Sequence, residues 1–307
     1  MRRLHPYRIL IAVAATLCGL AIVLGLLDGD GDDGAGAVTT RTAPEQRGLP
    51  GGAKTILPEH RVVAYYGAPG DDNLGILGIG NPNAVGLKLN RQARRYVTPT
   101  KPVMPAMELI AVVSTSSPGD DGKHRLRQAD AVIRRYLTAA RRANAILILD
   151  IQPGRASFLD EAKRLRRWLE EPDVSLALDP EWHVKDNEVP GQVIGSVTAG
   201  EINAVSAWLS DLVREKGLPE KLLIIHQFTD DMIQDRRAVH TRPNLDMVLN
   251  ADGFGTPELK RGTYSRITKG RGHFFIGFKL FFVEDTGLMS PRDVLALRPV
   301  PLVVVYQ

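Results

Sequence analysis

Val174-Ser-Leu-Ala-Leu-Asp179-Pro-Glu181-Trp182-His183 is the stretch whose reading decides the fold. A short apolar run ends in two carboxylates at i and i+2, then in a tryptophan. That is the pattern of a parallel strand buried on both faces, with polar residues only at its C-terminal end. Residues two apart on a strand share a side, so Asp179 and Glu181 look together into the space beyond it.

The same pattern recurs along the chain. Strands are expected at Arg61–Gly67, Met107–Thr115, Ile146–Gln152, Val174–Glu181, Lys221–Phe228, Leu245–Phe254, His273–Phe282 and Leu302–Tyr306. Helical patterns fall between them, at Ala84–Val97, Arg127–Ala143, Ser157–Glu171, Ala199–Lys216, Asp230–Val239, Pro257–Lys269 and Pro291–Leu297. Thr198 with Glu201 reads as a capping box, and Gly217 followed by Pro219 ends the helix that it opens. Ser290-Pro291 starts the last helix with proline at its first position. Eight strands alternating with helices over about 250 residues predict a (β/α)8 barrel of TIM type. An open doubly wound sheet would carry a glycine-rich turn directly after its first strand. Gly75-Ile-Leu-Gly78-Ile-Gly80 lies too far past Tyr66 for that, and the reading at residues 57–307 is a single barrel domain.

The 307 residues are 44% hydrophobic and 24% charged, enough apolar material for one large core. A formal charge of +4, carried largely as arginine pairs in helices, without an aromatic-interleaved basic stripe, argues against a nucleic-acid partner. Cys18 is the only cysteine, which excludes an internal disulfide or a thiolate metal site. It falls in the nineteen uncharged residues Ile9 to Leu27, preceded by Arg2, Arg3 and Arg8 in the n-region 1–8. The segment 9–27 is therefore expected to be a transmembrane anchor or a signal h-region. The barrel would then lie on the extracytoplasmic side of the cell membrane, or be secreted if cleavage occurs near Ala35-Gly-Ala37. Residues 28–56, rich in Gly, Asp, Thr and Pro, read as a flexible linker. Its Asp28–Gly34 run lacks the bidentate glutamate of a calcium loop, since Thr39 stands at that position.

In a barrel of this type the C-terminal strand ends form the active face. They carry Tyr65 and Tyr66, Ser114 and Thr115, Asp150 and Gln152, Asp179 and Glu181, His226 and Gln227, Asn250 and Asp252, Lys279, and Tyr306. Such a gathering of acids suits glycoside hydrolysis, which needs one carboxyl as proton donor and another as nucleophile or base. Trp182 and Phe254 add aromatic faces on which sugar rings stack. The catalytic candidates are Glu181, Asp179, Asp150 and Asp252 with Glu284. The candidates for substrate contact are Tyr65, Tyr66, Gln152, Trp182, His226, Gln227, Asn250, Lys279 and Tyr306.

Arg61-Val-Val-Ala-Tyr-Tyr-Gly67 and Leu178-Asp-Pro-Glu-Trp182 resemble the first and fourth strands of family 18 chitinases. The resemblance implies Glu181 as general acid and Asp179 as the residue that orients a substrate acetamido group. Two further acids of that motif are replaced here by Val174 and Ala177. Retaining barrel glycosidases with acids on strands four and seven suggest a different pair, Glu181 as acid/base with Glu284 as nucleophile. Most of the barrel also resembles a group of exported actinobacterial proteins, through Leu149-Asp-Ile-Gln-Pro-Gly-Arg155, Ala177-Leu-Asp-Pro-Glu-Trp182 and Asp252-Gly-Phe-Gly255. That likeness implies export and carries no mechanism.

Asp150, Asp179, Glu181, His226 and Asp252 are of types that bind divalent metals, but no His-x-His or His-Glu-x-x-His spacing supports a metal, and neither metal nor cofactor is expected. Lys279 reads as an ion-pair partner before a Schiff-base lysine. The expected function is an exported carbohydrate-active barrel, a glycoside hydrolase acting on an envelope or extracellular glycan. The alternative is a glycan-binding or envelope-assembly protein on the same scaffold.

Overall fold

The computed structural model describes residues 48–307. The n-region, the apolar segment with Cys18, and the linker up to residue 47 lie outside the described residues. Among the described residues no helix is long and apolar enough to cross a membrane.

Eight parallel strands close into a barrel: β1 (Arg61–Gly67), β2 (Val103–Ser114), β3 (Ile146–Ile151), β4 (Val174–Leu178), β5 (Lys221–Gln227), β6 (Leu245–Ala251), β7 (Phe275–Leu280) and β8 (Val303–Tyr306). Each pairs with the next, and β1 pairs with both β8 and β2, so no barrel strand is left with a free edge. Around them lie α1 (Pro82–Arg94), α2 (Asp130–Arg142), α3 (Phe158–Arg164), α4 (Arg166–Leu169), α5 (Ala199–Lys216), α6 (Pro257–Thr268) and α7 (Pro291–Leu295). The TIM-type reading of the sequence holds in strand number, order and direction.

Local sequence explains most of the helix ends. Thr198 and Glu201 form the reciprocal cap of α5, and Gly217 takes the left-handed conformation at its end. The helix expected over Ser157–Glu171 is broken at Leu165 into α3 and α4. The helix expected at Asp230–Val239 does not form. Asp235 sits at φ 54, and Ile233 is instead buried in a short extended pairing with Val197.

The N-terminal end of the barrel is closed by structure alone. Leu49, Ile56 and Leu57 join the core, and the Leu57 N–H donates to Asp246 Oδ2 at 2.8 Å. Lys221 is fully buried there and donates to the carbonyls of Glu171 and Val174 at 2.8 and 2.7 Å.

β2 is longer than its neighbours. Tyr66 and Gly67, which end β1, register with Glu108 and Leu109, so the last residues of β2 rise above the barrel to pair with Arg125–Arg127. The barrel's C-terminal layer on this strand is therefore at Glu108 and Ile110, and Ser114 and Thr115 stand above it.

Gly277 shows how tightly the interior layer is filled. It registers with Asn250, and a Cβ at Gly277 would lie 2.2 Å from Asn250 Oδ1. Gly277→Ala is expected to destabilise the barrel by about 1–3 kcal/mol through overpacking. Urea unfolding monitored by fluorescence measures this, and an unchanged midpoint would mean that Asn250 has room to swing away.

Candidate functional site at the C-terminal face

Period-two alternation sends Tyr66, Glu108, Asp150, His226, Asn250 and Lys279 into the barrel, and Asp179 and Asp252 follow β4 and β6 on the same side. These eight side chains are all buried. Their contacts fall into two linked groups.

The first group centres on the Tyr66 hydroxyl. It lies 3.0 Å from Asp150 Oδ2 and 3.4 Å from Asp179 Oδ2, and it accepts from Gln152 Nε2 at 3.0 Å. Gln152 also reaches Asp179 Oδ2 at 3.4 Å, and its Oε1 accepts from the Ser114 N–H. Burial raises the Tyr66 phenol well above its ordinary value, and Asp150, Asp179 and Glu108 add to it, so the ring remains a neutral donor.

The second group centres on His226. Its Nδ1 lies 2.9 Å from Asp252 Oδ2 and its Nε2 2.9 Å from Glu108 Oε1, with Asp150 Oδ1 at 3.9 Å. Asn250 Nδ2 donates to Asp252 Oδ1 at 2.5 Å. Lys279 Nζ pairs with Asp252 Oδ2 at 3.3 Å and sits 3.8 Å above the centre of the Tyr66 ring, which ties the two groups together.

Burial and charge divide the acids. Burial pushes Asp252 up, but Lys279 and His226 outweigh it and hold the carboxyl below its usual value. Asp150 is raised well above the carboxylate range, by burial first and then by Asp179. Asp179 is also raised, chiefly by burial. Burial disfavours the charged imidazole of His226, yet Asp252 and Glu108 hold its pKa well above the ordinary value. Lys279 stays charged for the same reason, since Asp252 and Asp179 more than offset its burial.

Glu181 differs from the others in access. It lies in the turn Pro180–Trp182, partly exposed at the rim above buried Asp179, and burial with the Asp179 charge pushes its carboxyl up to about 8. Trp182 and His183 follow it, also partly exposed. The backbone here is fixed by three returning loops. The Gly195 N–H donates to the Glu181 carbonyl at 2.7 Å, and the Val184 N–H donates to the Gly154 carbonyl at 3.0 Å. Gly154, at φ 60, presses so closely on Lys123 that a Cβ would meet its carbonyl at 2.3 Å.

Several sequence candidates lie elsewhere. Tyr65 and Tyr306 point out of the barrel and pack edge to face with each other, and Tyr306 bonds Tyr96 in the helical layer. Gln227 also points outward, held by Arg236 and the Thr229 carbonyl. One-residue alternation separates each of them from an inward neighbour. Glu284 is exposed in the turn after β7. Its neighbour Asp285 turns in instead, accepting from the Gly255 and Phe281 N–H groups and pairing with buried Lys260 at 3.1 Å. Lys260 in turn donates to the carbonyls of Gly253 and Lys279, so this pair holds the Asp252 and Lys279 backbones in place.

Glu108 is the site residue that strand ends alone did not reveal. Its signal is a lone acid within an otherwise apolar run, Met107-Glu-Leu-Ile-Ala-Val-Val113. Glu108, Asp150 and His226 each offer a ligand-type atom within 4.8 Å of the others.

No family model matches the chain, and no curated protein matches it significantly. Among solved structures it is similar to a sialic acid aldolase catalytic-lysine mutant from Ruminococcus gnavus (12% identity, 82% of this chain and 68% of that one, TM-score 0.41). It is also similar to a GH18 chitinase from Pseudoalteromonas aurantia (9% identity, 80% and 93% covered, TM-score 0.42). A third is 2,3-dimethylmalate lyase (12% identity, 81% and 76% covered, TM-score 0.43). Its strand order and closure make the chain a TIM-type barrel, and its chemistry is argued from its own side chains.

The raised Glu181 carboxyl predicts a pH signature. An acid whose folded pKa lies above its unfolded value stabilises the fold least when ionised, so stability falls as pH rises from about 4.5 towards 8. Glu181→Gln imitates the protonated form and should match the parent near pH 4 while melting higher than it at pH 9. Equal melting curves at both pH values would remove the shift assigned to Glu181.

Proposed function

We propose that the protein is a glycoside hydrolase in which Glu181 is the proton donor. The observation that carries this reading is a carboxyl raised to about 8 on a partly exposed residue of the C-terminal turn, two positions after a buried second carboxyl. Proton donation to a leaving-group oxygen needs such a group, and the pairing of one protonated and one ionised carboxyl is the economy of glycosidases. Asp179, steadied by Tyr66 and Gln152, is the residue proposed to orient the substrate or the developing charge. Trp182 is the proposed stacking face at the mouth. The proposed substrate is an envelope or extracellular glycan, and the proposed location is outside the cytoplasmic membrane, through the arginine-led apolar segment 9–27.

Lys279 supports this reading over carbonyl chemistry through a Schiff base. A Schiff-base lysine must lose its proton to attack, whereas Lys279 is kept charged by Asp252 and by the face of Tyr66.

The test is incubation of the protein with peptidoglycan fragments, chitin oligomers and neutral glucan or arabinan oligomers, with products read by mass spectrometry. Glu181→Gln should lower kcat about 10²–10⁴-fold, the range of a lost general acid. The parent rate should fall as pH rises through about 8, where the donor ionises. If a glycan raises the melting temperature equally in parent and variant and none is cleaved, the scaffold binds glycan without turnover.

A further inference from the structure

We infer that the floor of the barrel mouth is a divalent-cation site, with Glu108, Asp150 and His226 Nε2 as its protein ligands, suited to Mn²⁺ or Zn²⁺. The inference is independent of the glycan reading.

Three observations carry it. The first is geometric. Ligand bonds of about 2.1 Å place neighbouring donor atoms about 3–3.5 Å apart around an ion. His226 Nε2 lies 2.9 Å from Glu108 Oε1 and 3.9 Å from Asp150 Oδ1, and small side-chain rotations bring both to that spacing.

The second is the set of unused acceptors. Glu108 Oε2 and Asp150 Oδ1 are buried without a hydrogen-bond partner, in residues with no exposed surface. A buried carboxylate oxygen left unpaired costs about 1–3 kcal/mol or more. Placing a proton on His226 Nε2 satisfies Glu108 Oε1 but reaches neither of these oxygens. A single divalent ion at the convergence of the three side chains attracts both carboxylates at once.

The third is the orientation of His226. Its other nitrogen, Nδ1, faces Asp252 Oδ2 at 2.9 Å, and Asp252 is anchored by Asn250 and Lys279. With the proton on Nδ1, the Nε2 lone pair is aimed at Glu108 and Asp150. This carboxylate–histidine relay is the outer arrangement that fixes metal-binding imidazoles. With His226 neutral as a ligand, Lys279 is the cation paired within the cluster of Glu108, Asp150, Asp179 and Asp252 among the described residues, so a divalent ion brings the cluster closer to charge balance. One imidazole with two carboxylates selects a transition ion of intermediate hardness over Ca²⁺, which prefers six to eight oxygens.

The full-length protein, stripped with chelator and dialysed, is titrated calorimetrically with Mn²⁺ and separately with Zn²⁺. The expected result is one ion per chain with a raised melting temperature, and at least tenfold weaker binding in Glu108→Gln, whose fold is checked by near-ultraviolet circular dichroism. Asp150→Asn, checked in the same way, should weaken binding likewise and guards against failure of the first variant to fold. The Mn²⁺ complex should also display magnetic coupling to one histidine nitrogen. Absence of binding at millimolar ion, or binding that both variants leave unchanged, overturns the site and leaves the three side chains bridged by protons or water.

Discussion

Four acidic side chains lie together in the buried interior of the barrel mouth, and among the described residues Lys279 and His226 are the cations that hold them there. Lys279 and His226 reach Glu108, Asp252 and, at longer range, Asp150 and Asp179. Breaking one member out of a buried charge pair typically costs about 3–5 kcal/mol because the partner stays behind unpaired. Loss of either cation would therefore leave several acids uncompensated at once. The scaffold spends much of its order on these two residues. Gly277 makes room for Asn250, Asn250 holds Asp252, and Lys260 with Asp285 fixes the backbones on either side. A folding core built for stability alone would fill these positions with apolar residues, as Ala64, Ala106, Ile148, Ala177, Ile224 and Val248 do two residues earlier on the same strands.

The opposite end of the barrel shows what the same residue type does with no carboxylate in direct contact, where Asp173 and Glu171 act only from a distance. Lys221 is as buried as Lys279, yet it donates to backbone carbonyls, and desolvation pulls its pKa down to about 7. Lys279 is held above the ordinary lysine value by Asp252 and Asp179. Burial is common to both, so the difference is charge. The N-terminal end uses polar groups as hydrogen-bonded plugs, and the C-terminal end concentrates charge, which is the asymmetry expected of barrels that do chemistry at one face.

That asymmetry made much of the molecule legible in the sequence. Apolar runs of strand length that turn polar only at their ends predict both the barrel and the face that carries its polar cluster. The residues that went astray did so for two physical reasons. Tyr65, Gln227 and Tyr306 sit one position away from an inward residue, and a strand buried on both faces gives no polar alternation to mark which side is which. Glu108 was hidden by the unequal reach of the strands, because β2 runs on past the rim and its true barrel level lies six residues before its end. Glu284 looked like a strand-seven acid, but the tight turn at Phe281–Asp285 directs its neighbour inward instead. The Asp230–Val239 segment has helical periodicity, and tertiary pairing of Ile233 with Val197 overrode it.

Access, more than acidity, separates Glu181 from the acids beneath it. The Asp150 carboxyl is also raised, by burial first, but with no exposed surface it has no path to a substrate oxygen. Glu181 shares the electrostatic field of the cluster while standing at the rim, in a turn closed by the Gly195 N–H and flanked by the loop that Gly154 joins. A proton donor needs both properties, a pKa raised to the working range and a fixed position facing the opening. Asp179 lies two residues earlier and on the same side, close enough to raise Glu181 by its charge and too deep to replace it. In the proposed reaction, the buried layer raises the pKa of the rim acid, Glu181 donates the proton, and Asp179 just beneath it orients the substrate.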